Sequence, residues 1–120
     1  MMNGSSAQTE RKRNELINLT DLSFGDEVLK SRQLVLVEFY ADWSGTHHII
    51  SPGLMELNDK YGARVKFCMV DVNHRVLSEK YGIWNVPTIV FFKNGHPVDY
   101  IIGLVPKTVI AQKLDVLLGP

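Results

Sequence analysis

The stretch VLVEFYADWSGTHHIISP, residues 35–52, decides the fold of this chain. Its first part belongs to an apolar run from Leu34 to Tyr40 that only Glu38 interrupts, a pattern typical of a strand covered on both faces. A tryptophan and a short polar turn follow, and apolar residues then recur at helical spacing. The residues with this spacing are Ile50, Leu54, Leu57 and Tyr61. The stretch therefore predicts a buried strand, a turn, and a helix that packs back on the sheet.

The segments around this stretch predict an α/β fold with the order βαβαββα. Before it, apolar residues within 17–19 indicate a short edge strand, and Ser23 offers the start of a small helix. After it, residues 65–72 form a second apolar run. That run predicts a strand parallel to the first, with a right-handed crossover between them. A short helix is expected next, near Leu77.

The last third of the chain predicts a β-hairpin and a closing helix. Residues 88–92 and 98–102 have the character of strands on either side of an Asn94-Gly95 turn, which is a strong hairpin signal. Pro106 in a first helical turn, followed by apolar residues at helical spacing, predicts the closing helix. The sheet is therefore expected to lie between helices on both of its faces.

Composition and charge exclude several classes of protein. The chain has 120 residues, 45% of them hydrophobic, which suits one soluble domain with a single core. Thirteen basic and thirteen acidic residues cancel, so no overall field favours nucleic acid or a membrane surface. The four histidines show no spacing that predicts a metal site, and no motif indicates a cofactor. A partner must therefore be sought at a local surface.

The N-terminus and the cysteine content indicate the domain limits and the compartment. Residues 1–14 are polar and charged, and we expect them to form a disordered tail ahead of a domain at residues 15–120. No apolar run approaches the roughly 20 residues of a membrane-spanning helix, and no apolar segment follows the basic N-terminal residues as a secretory signal requires. Cys68 is the single cysteine, which fits a reducing compartment. These features predict a cytoplasmic protein.

Several segments between residues 15 and 118 carry a family resemblance. The segments are INLTDLSFGDEVL, VLVEFYADW, the turn at Gly45, Pro52, KYGIWNVPTIVFFKNG, and Gly103 after the last strand. Through them the chain resembles the thioredoxin family. The resemblance implies the thioredoxin fold, in which helices flank both faces of a central mixed five-stranded sheet. It also implies a cis peptide bond between Val86 and Pro87, which places the Val86 backbone for pairing with an extended peptide.

The departure from that family lies at its reactive turn. Thioredoxins carry Trp-Cys-Gly-Pro-Cys, whereas the same five places here, residues 43–47, hold Trp-Ser-Gly-Thr-His. Neither a serine hydroxyl nor an imidazole can form a mixed disulfide, so the sequence predicts no dithiol exchange. Cys68 lies within the apolar run VKFCMV and is expected to pack in the core as an inert hydrophobe.

Glu38 corresponds to the buried acid of the family, and Met69 stands where the family often has a lysine. The resemblance thus implies that Glu38 has lost an ion-pair partner, so burial should raise its pKa. Glu38 is then either a relic of the family's proton-transfer acid or a tolerated buried carboxyl.

The polar turn allows two interpretations. In the first, Ser44 caps the following helix and His47 lies on the helix surface. In the second, Ser44 is a nucleophile, His47 is its general base, and Glu38 orients the histidine, which would make the chain a hydrolase or acyl-transfer enzyme. No oxyanion hole can be recognised in the sequence for this second chemistry.

The predicted function is that of a redox-inactive thioredoxin-like protein with a docking or chaperone role linked to redox homeostasis. It would bind a protein or extended peptide non-covalently at the groove left by the reactive turn. The resemblance assigns to that groove Trp43, Gly45, Thr46, Trp84, Val86, Pro87, Gly103 and Leu104. Trp84 has a second interpretation, as a ring that shields the edge of the core. A chain that retains no function is a further alternative.

Overall fold

The computed structural model describes residues 15–120, and the predicted tail at residues 1–14 lies outside them. The strands are β1 (Ile17–Leu19), β2 (Leu34–Tyr40), β3 (Val65–Asp71), β4 (Thr88–Lys93) and β5 (His96–Ile102). The helices are α1 (Gly25–Leu29), a single turn of π type, then α2 (Thr46–Tyr61), α3 (Arg75–Lys80) and α4 (Lys107–Leu118). From β2 onward the elements follow the predicted order βαβαββα, and β1 and α1 precede it.

The strands form one mixed sheet in the order β1-β3-β2-β4-β5. β1, β3 and β2 run parallel, whereas β4 lies antiparallel to β2 and forms the predicted hairpin with β5. Residues of α2 and α4 pack in the core on one face of the sheet, and residues of α1 and α3 pack in the core on the other. The expected α/β fold, a mixed five-stranded sheet between two layers of helices, is therefore confirmed.

β2 is the central strand, and all of its residues are buried, as the apolar run predicted. Leu34 and Leu36 lie in the core beneath α2 and α4, while Val35 and Val37 lie in the opposite core. Side chains alternate along a strand. Glu38 and Tyr40 therefore continue the series of Leu34 and Leu36 and face the α2 side of the sheet.

Two local details differ from the prediction. Thr20, not Ser23, caps the turn that leads into α1, since its hydroxyl accepts the N–H groups of Leu22 and Ser23 at 3.2 Å. The Ser23 hydroxyl in turn accepts the Thr20 N–H at 3.0 Å, so each side chain caps the other's backbone. Pro97 lies inside β5, where it is tolerated because β5 is an edge strand.

Three turns lie at one end of the sheet: the turn after β2, the turn before β4 and the turn after β5. Thr88 pairs with Phe39 of β2 and with the last residue of β5, so Pro87 lies level with the ends of both strands. The Gly103 N–H donates to the Pro87 carbonyl at 2.8 Å. The peptide bond between Val86 and Pro87 is cis. The turns that carry the candidate site residues are therefore neighbours.

Replacing Gly95 by alanine is expected to lower the free energy of unfolding by about 1–3 kcal/mol. Asn94 and Gly95 have φ angles of 54° and 80°, as a two-residue hairpin turn of this kind requires. A Cβ on Gly95 would also lie 2.8 Å from the carbonyl oxygen of Leu29, a backbone atom that cannot easily move aside. Chemical denaturation of the variant measures the loss.

Gly25→Ala is the matched control for the hairpin glycine. A Cβ at Gly25 would meet no atom within 4 Å, and α1 favours alanine over glycine. This variant should be as stable as the wild type or slightly more stable. A Gly95→Ala protein with wild-type stability would show that the hairpin turn does not require glycine.

Candidate functional site

The candidate site is built around a carboxyl–imidazole contact between β2 and the first turn of α2. Glu38 is fully buried at the end of the β2 face that α2 covers. His47 lies in the first turn of α2, and its Nδ1 atom is 2.9 Å and 3.0 Å from the two carboxylate oxygens of Glu38. The His47 side chain is 17% exposed. The histidine is therefore turned inward onto the acid, and the interpretation of His47 as a plain surface residue of the helix is wrong.

The environment of Glu38 agrees in part with the prediction. Met69 of β3 pairs with Glu38 in register, so the place beside the acid is occupied by an uncharged side chain, as expected. Burial raises the pKa of Glu38 above its ordinary value of 4.5, while the hydrogen bond and charge of His47 oppose that rise. Glu38 thus has a hydrogen-bond partner in place of the missing lysine, the imidazole of His47 on α2.

Ser44 takes no part in this pair. Its hydroxyl donates to the carbonyl of Ala41 at 3.0 Å and lies 2.8 Å from the hydroxyl oxygen of Thr46. The N-cap position of α2 is Gly45, with a φ of 76°. The Ser44 hydroxyl nevertheless accepts the N–H of Thr46, the first residue of α2, at 3.3 Å, so Ser44 caps the helix start from one residue earlier than predicted. Ser44 also ends a 3₁₀ turn, Asp42–Ser44. The structure joins Glu38 to His47 but does not join His47 to Ser44, so the Ser-His-Glu arrangement is not assembled.

The other predicted site residues surround this end of the sheet with unequal exposure. Trp43 and Trp84 are 76% and 90% exposed, so the interpretation of Trp84 as a shield for the core edge is wrong. Leu104 is half exposed, whereas Pro87 is buried beneath the turn. The hydrogen bonds of residues 15–120 leave the backbone N–H and carbonyl of Val86 without a partner.

Sequence reasoning missed one residue of the site. The ring of Tyr40 stacks on the imidazole of His47, with centroids 4.6 Å apart and planes 30° from parallel. The only signal in the sequence is the position of Tyr40 two residues after Glu38, which places both side chains on one face of β2.

Comparison with known proteins decides the family. The family model described as Thioredoxin matches residues 15–116. The chain belongs to the thioredoxin family. Thioredoxin 1 of Synechococcus elongatus is 42% identical to it over 99 residues, which are 81% of this chain and 92% of that protein. Thioredoxin 1 of a Nostoc species is 40% identical over 99 residues, and thioredoxin of a Synechocystis species is 36% identical over 98 residues. Each of these alignments also covers 81% of this chain and 92% of the relative.

These relatives contradict the function predicted for this thioredoxin-family chain. They are named thioredoxins, which are redox proteins, so the interpretation as a redox-inactive docking protein is wrong. The hydrolase alternative is wrong for the same reason, and the geometry of Ser44 gives it no nucleophile. Residues 44 and 47 nevertheless hold no sulfur. Thiol–disulfide chemistry at this turn would therefore draw its thiols from the reactants.

The single thiol of the chain lies apart from the turn. Cys68 is fully buried in β3, as predicted for a core residue. Residues 15–120 contain no group of three or more His, Cys, Asp or Glu side chains placed to share a metal ion. Along the same residues, no helix is both long enough and apolar enough to cross a bilayer.

The Glu38→Gln variant is expected to gain stability relative to the wild type as the pH rises from 4 to 7. A carboxyl whose pKa is raised on folding binds its proton more tightly in the native state, so its ionisation lowers the free energy of unfolding above its unfolded pKa. Burial raises the pKa of Glu38 in this way. Glutamine removes the ionisation and keeps a carbonyl that accepts the His47 Nδ1–H. Urea denaturation at both pH values measures the difference.

Glu56→Gln is the matched control for this pH dependence. Glu56 lies on the exposed side of α2, where it pairs with Lys107. Its replacement should change the stability difference between pH 4 and pH 7 only slightly, because exposed ion pairs contribute about 0–1 kcal/mol. A Glu38→Gln protein that loses stability relative to the wild type between pH 4 and pH 7 would show that the ionised carboxylate stabilises the fold through His47.

Proposed function

We propose that this chain accelerates thiol–disulfide exchange on protein segments by proton transfer, with His47 and Glu38 as the proton-transfer pair and with all reacting thiols supplied by its substrates. The names of its relatives favour redox chemistry of this class. The observation that carries the proposal is the fully buried Glu38 carboxyl within 3.0 Å of His47 Nδ1, at the start of α2. A histidine held in this way by a buried acid is the arrangement of a general base.

The exchange needs no thiol of the protein. A small thiol gives its proton to His47 Nε2, the ring nitrogen that the Glu38 contact leaves available, and the thiolate attacks one sulfur of the substrate disulfide. A new S–S bond forms as the old one breaks, and the leaving thiolate takes the proton back from the imidazolium. A second small thiol completes the reduction in the same way. The electrons come from the two small thiols, and the protein is neither oxidised nor reduced.

The binding face for the substrate combines an exposed backbone with two large rings. The backbone of Val86 has polar groups with which an extended peptide can form strand-like hydrogen bonds. Trp43 and Trp84 supply exposed rings of the kind that anchor protein interfaces. Gly103 and Leu104 lie on the neighbouring turn, beside Pro87. We propose a disulfide-bearing protein segment as the partner, with neither nucleic acid nor a membrane involved.

We propose that the protein acts in a reducing compartment, the cytoplasm. Small thiols are the co-substrates, and they are kept reduced there. The presence of a single cysteine in the whole chain is in keeping with such a compartment.

The test is the initial rate of exchange between glutathione and a disulfide peptide, with and without the protein. The wild type should accelerate the exchange, and Cys68→Ala should accelerate it equally, because Cys68 is fully buried in the core. A rate no higher than that without protein would overturn the proposal. Loss of the acceleration in a Cys68→Ala protein that remains folded would also overturn it, since a thiol of the protein would then take part.

Trp43→Ala and Trp84→Ala are each expected to raise the KM for the disulfide peptide by roughly 30-fold, because truncation of an aromatic anchor often costs about 2 kcal/mol of binding. Both rings are mostly exposed, so the melting temperature should hardly change. His96→Ala, at the hairpin on the opposite end of the sheet, is the control and should leave the KM unchanged. Unchanged KM values in both tryptophan variants would show that the substrate binds elsewhere.

A further inference from the structure

Tyr40 and Glu38 approach His47 from two different directions. Glu38 contacts the edge of the imidazole at Nδ1, whereas Tyr40 covers the face of the ring at a centroid distance of 4.6 Å. Tyr40 is 7% exposed, and its backbone carbonyl accepts the Val72 N–H at 2.8 Å. The phenol ring therefore projects from a buried position on the central strand of the sheet.

The two contacts constrain different motions of the imidazole. A hydrogen bond at Nδ1 favours one direction for that nitrogen, but by itself it permits the ring to tilt about the bond. A stacked aromatic face opposes that tilt. Because both side chains come from one strand, β2 holds the histidine in a single orientation.

We propose that Tyr40 is a positioning residue for His47, which keeps Nδ1 on Glu38 and directs Nε2 to the reacting thiol. The direction of Nε2 toward a thiol rests on the proposed exchange activity. The placement of Nδ1 on Glu38 concerns the histidine alone. Other charged or titratable groups near this pair are Asp42 in the following turn, Asp71 on β3 and His48 on α2. The His48 ring also lies near that of His47, with centroids 5.9 Å apart, but the two planes are tilted by 58° and do not stack.

The test compares Tyr40→Phe and Tyr40→Leu with the wild type by ¹⁵N NMR of the imidazole nitrogens. In the wild type and in Tyr40→Phe, the shifts should show one tautomer, with the proton on Nδ1. In Tyr40→Leu, the two nitrogen shifts should move toward each other as the tautomers mix. The glutathione exchange rate should fall about tenfold or more in Tyr40→Leu and stay near the wild-type rate in Tyr40→Phe, because misplaced catalytic groups lose rate steeply.

A folded Tyr40→Leu protein with one Nδ1–H tautomer would overturn the positioning role, as would a Tyr40→Phe protein whose tautomers mix as much as those of Tyr40→Leu. Backbone amide spectra establish the fold, and Tyr40→Met replaces the leucine variant should that protein not fold. The two proposals fail separately. A wild type without exchange activity overturns the proposed function, while the NMR comparison still decides what Tyr40 does to His47.

Discussion

The double substitution of Ser44→Cys with His47→Cys is expected to turn this chain into a disulfide reductase that uses its own dithiol. The two positions are separated by Gly45 and Thr46 at the start of α2, where a thiolate is favoured by the helix N-terminus. A second thiol in the same turn resolves a mixed disulfide intramolecularly, and such steps reach effective molarities of about 10⁵ M. Insulin reduction by dithiothreitol should therefore proceed on the order of a hundred-fold faster than with the wild type.

The single variants separate the two thiols in this prediction. Ser44→Cys alone can form a mixed disulfide but has no partner in the turn to resolve it, and His47→Cys alone lacks the first nucleophile. With each single variant, insulin reduction by dithiothreitol should be far slower than with the double variant. A double variant that forms no internal disulfide on oxidation would show that Thr46 or the side chains beneath the turn have changed its geometry too far for the reaction.

The fold was predictable because its signals are local and repeated along the chain. The buried run of β2, the helical spacing in α2 and the Asn94-Gly95 turn each depend on near neighbours, and together they leave few arrangements of the sheet. Details that depend on competing side chains were less predictable. Thr20 and Ser23 are both good capping residues, and only the geometry of the turn shows which of them caps α1.

The candidate site was predictable only in part. The sequence indicated that Glu38 lies under the turn and is near enough to orient His47, and this pair is present. No pattern of residues shows that the Ser44 hydroxyl donates to the carbonyl of Ala41 and not to His47. Tyr40 went unnoticed because an aromatic residue at the end of a buried strand looks like ordinary core.

The predicted function was wrong because the absence of two thiols does not by itself mean the absence of redox chemistry. Missing cysteines exclude a dithiol carried by the chain itself. They do not exclude a role for the groups that remain, and in this site those groups are a buried acid and a histidine in contact. The names of the relatives favour redox chemistry, so the remaining groups have to be tested for proton transfer in that class of reaction.

His47→Gln is expected to remove most of the acceleration of thiol–disulfide exchange. Glutamine has an amide that can still contact Glu38, but it cannot accept a proton from a thiol, and general acid–base catalysis contributes about 10²–10⁴-fold. The acceleration should therefore fall by about a hundred-fold or to the rate without protein. His48→Gln is the matched control, because His48 is the next residue on α2, is exposed and has no contact with Glu38 among the described hydrogen bonds.

The measurement that decides the central claim is the initial rate of glutathione exchange with a disulfide peptide for the wild type, His47→Gln and His48→Gln, at equal concentrations of folded protein. Proton transfer through His47 predicts a rate above the protein-free rate for the wild type and for His48→Gln, and a rate near the protein-free value for His47→Gln. Equal acceleration by all three proteins, or by none of them, would contradict a role for the His47–Glu38 pair in this chemistry.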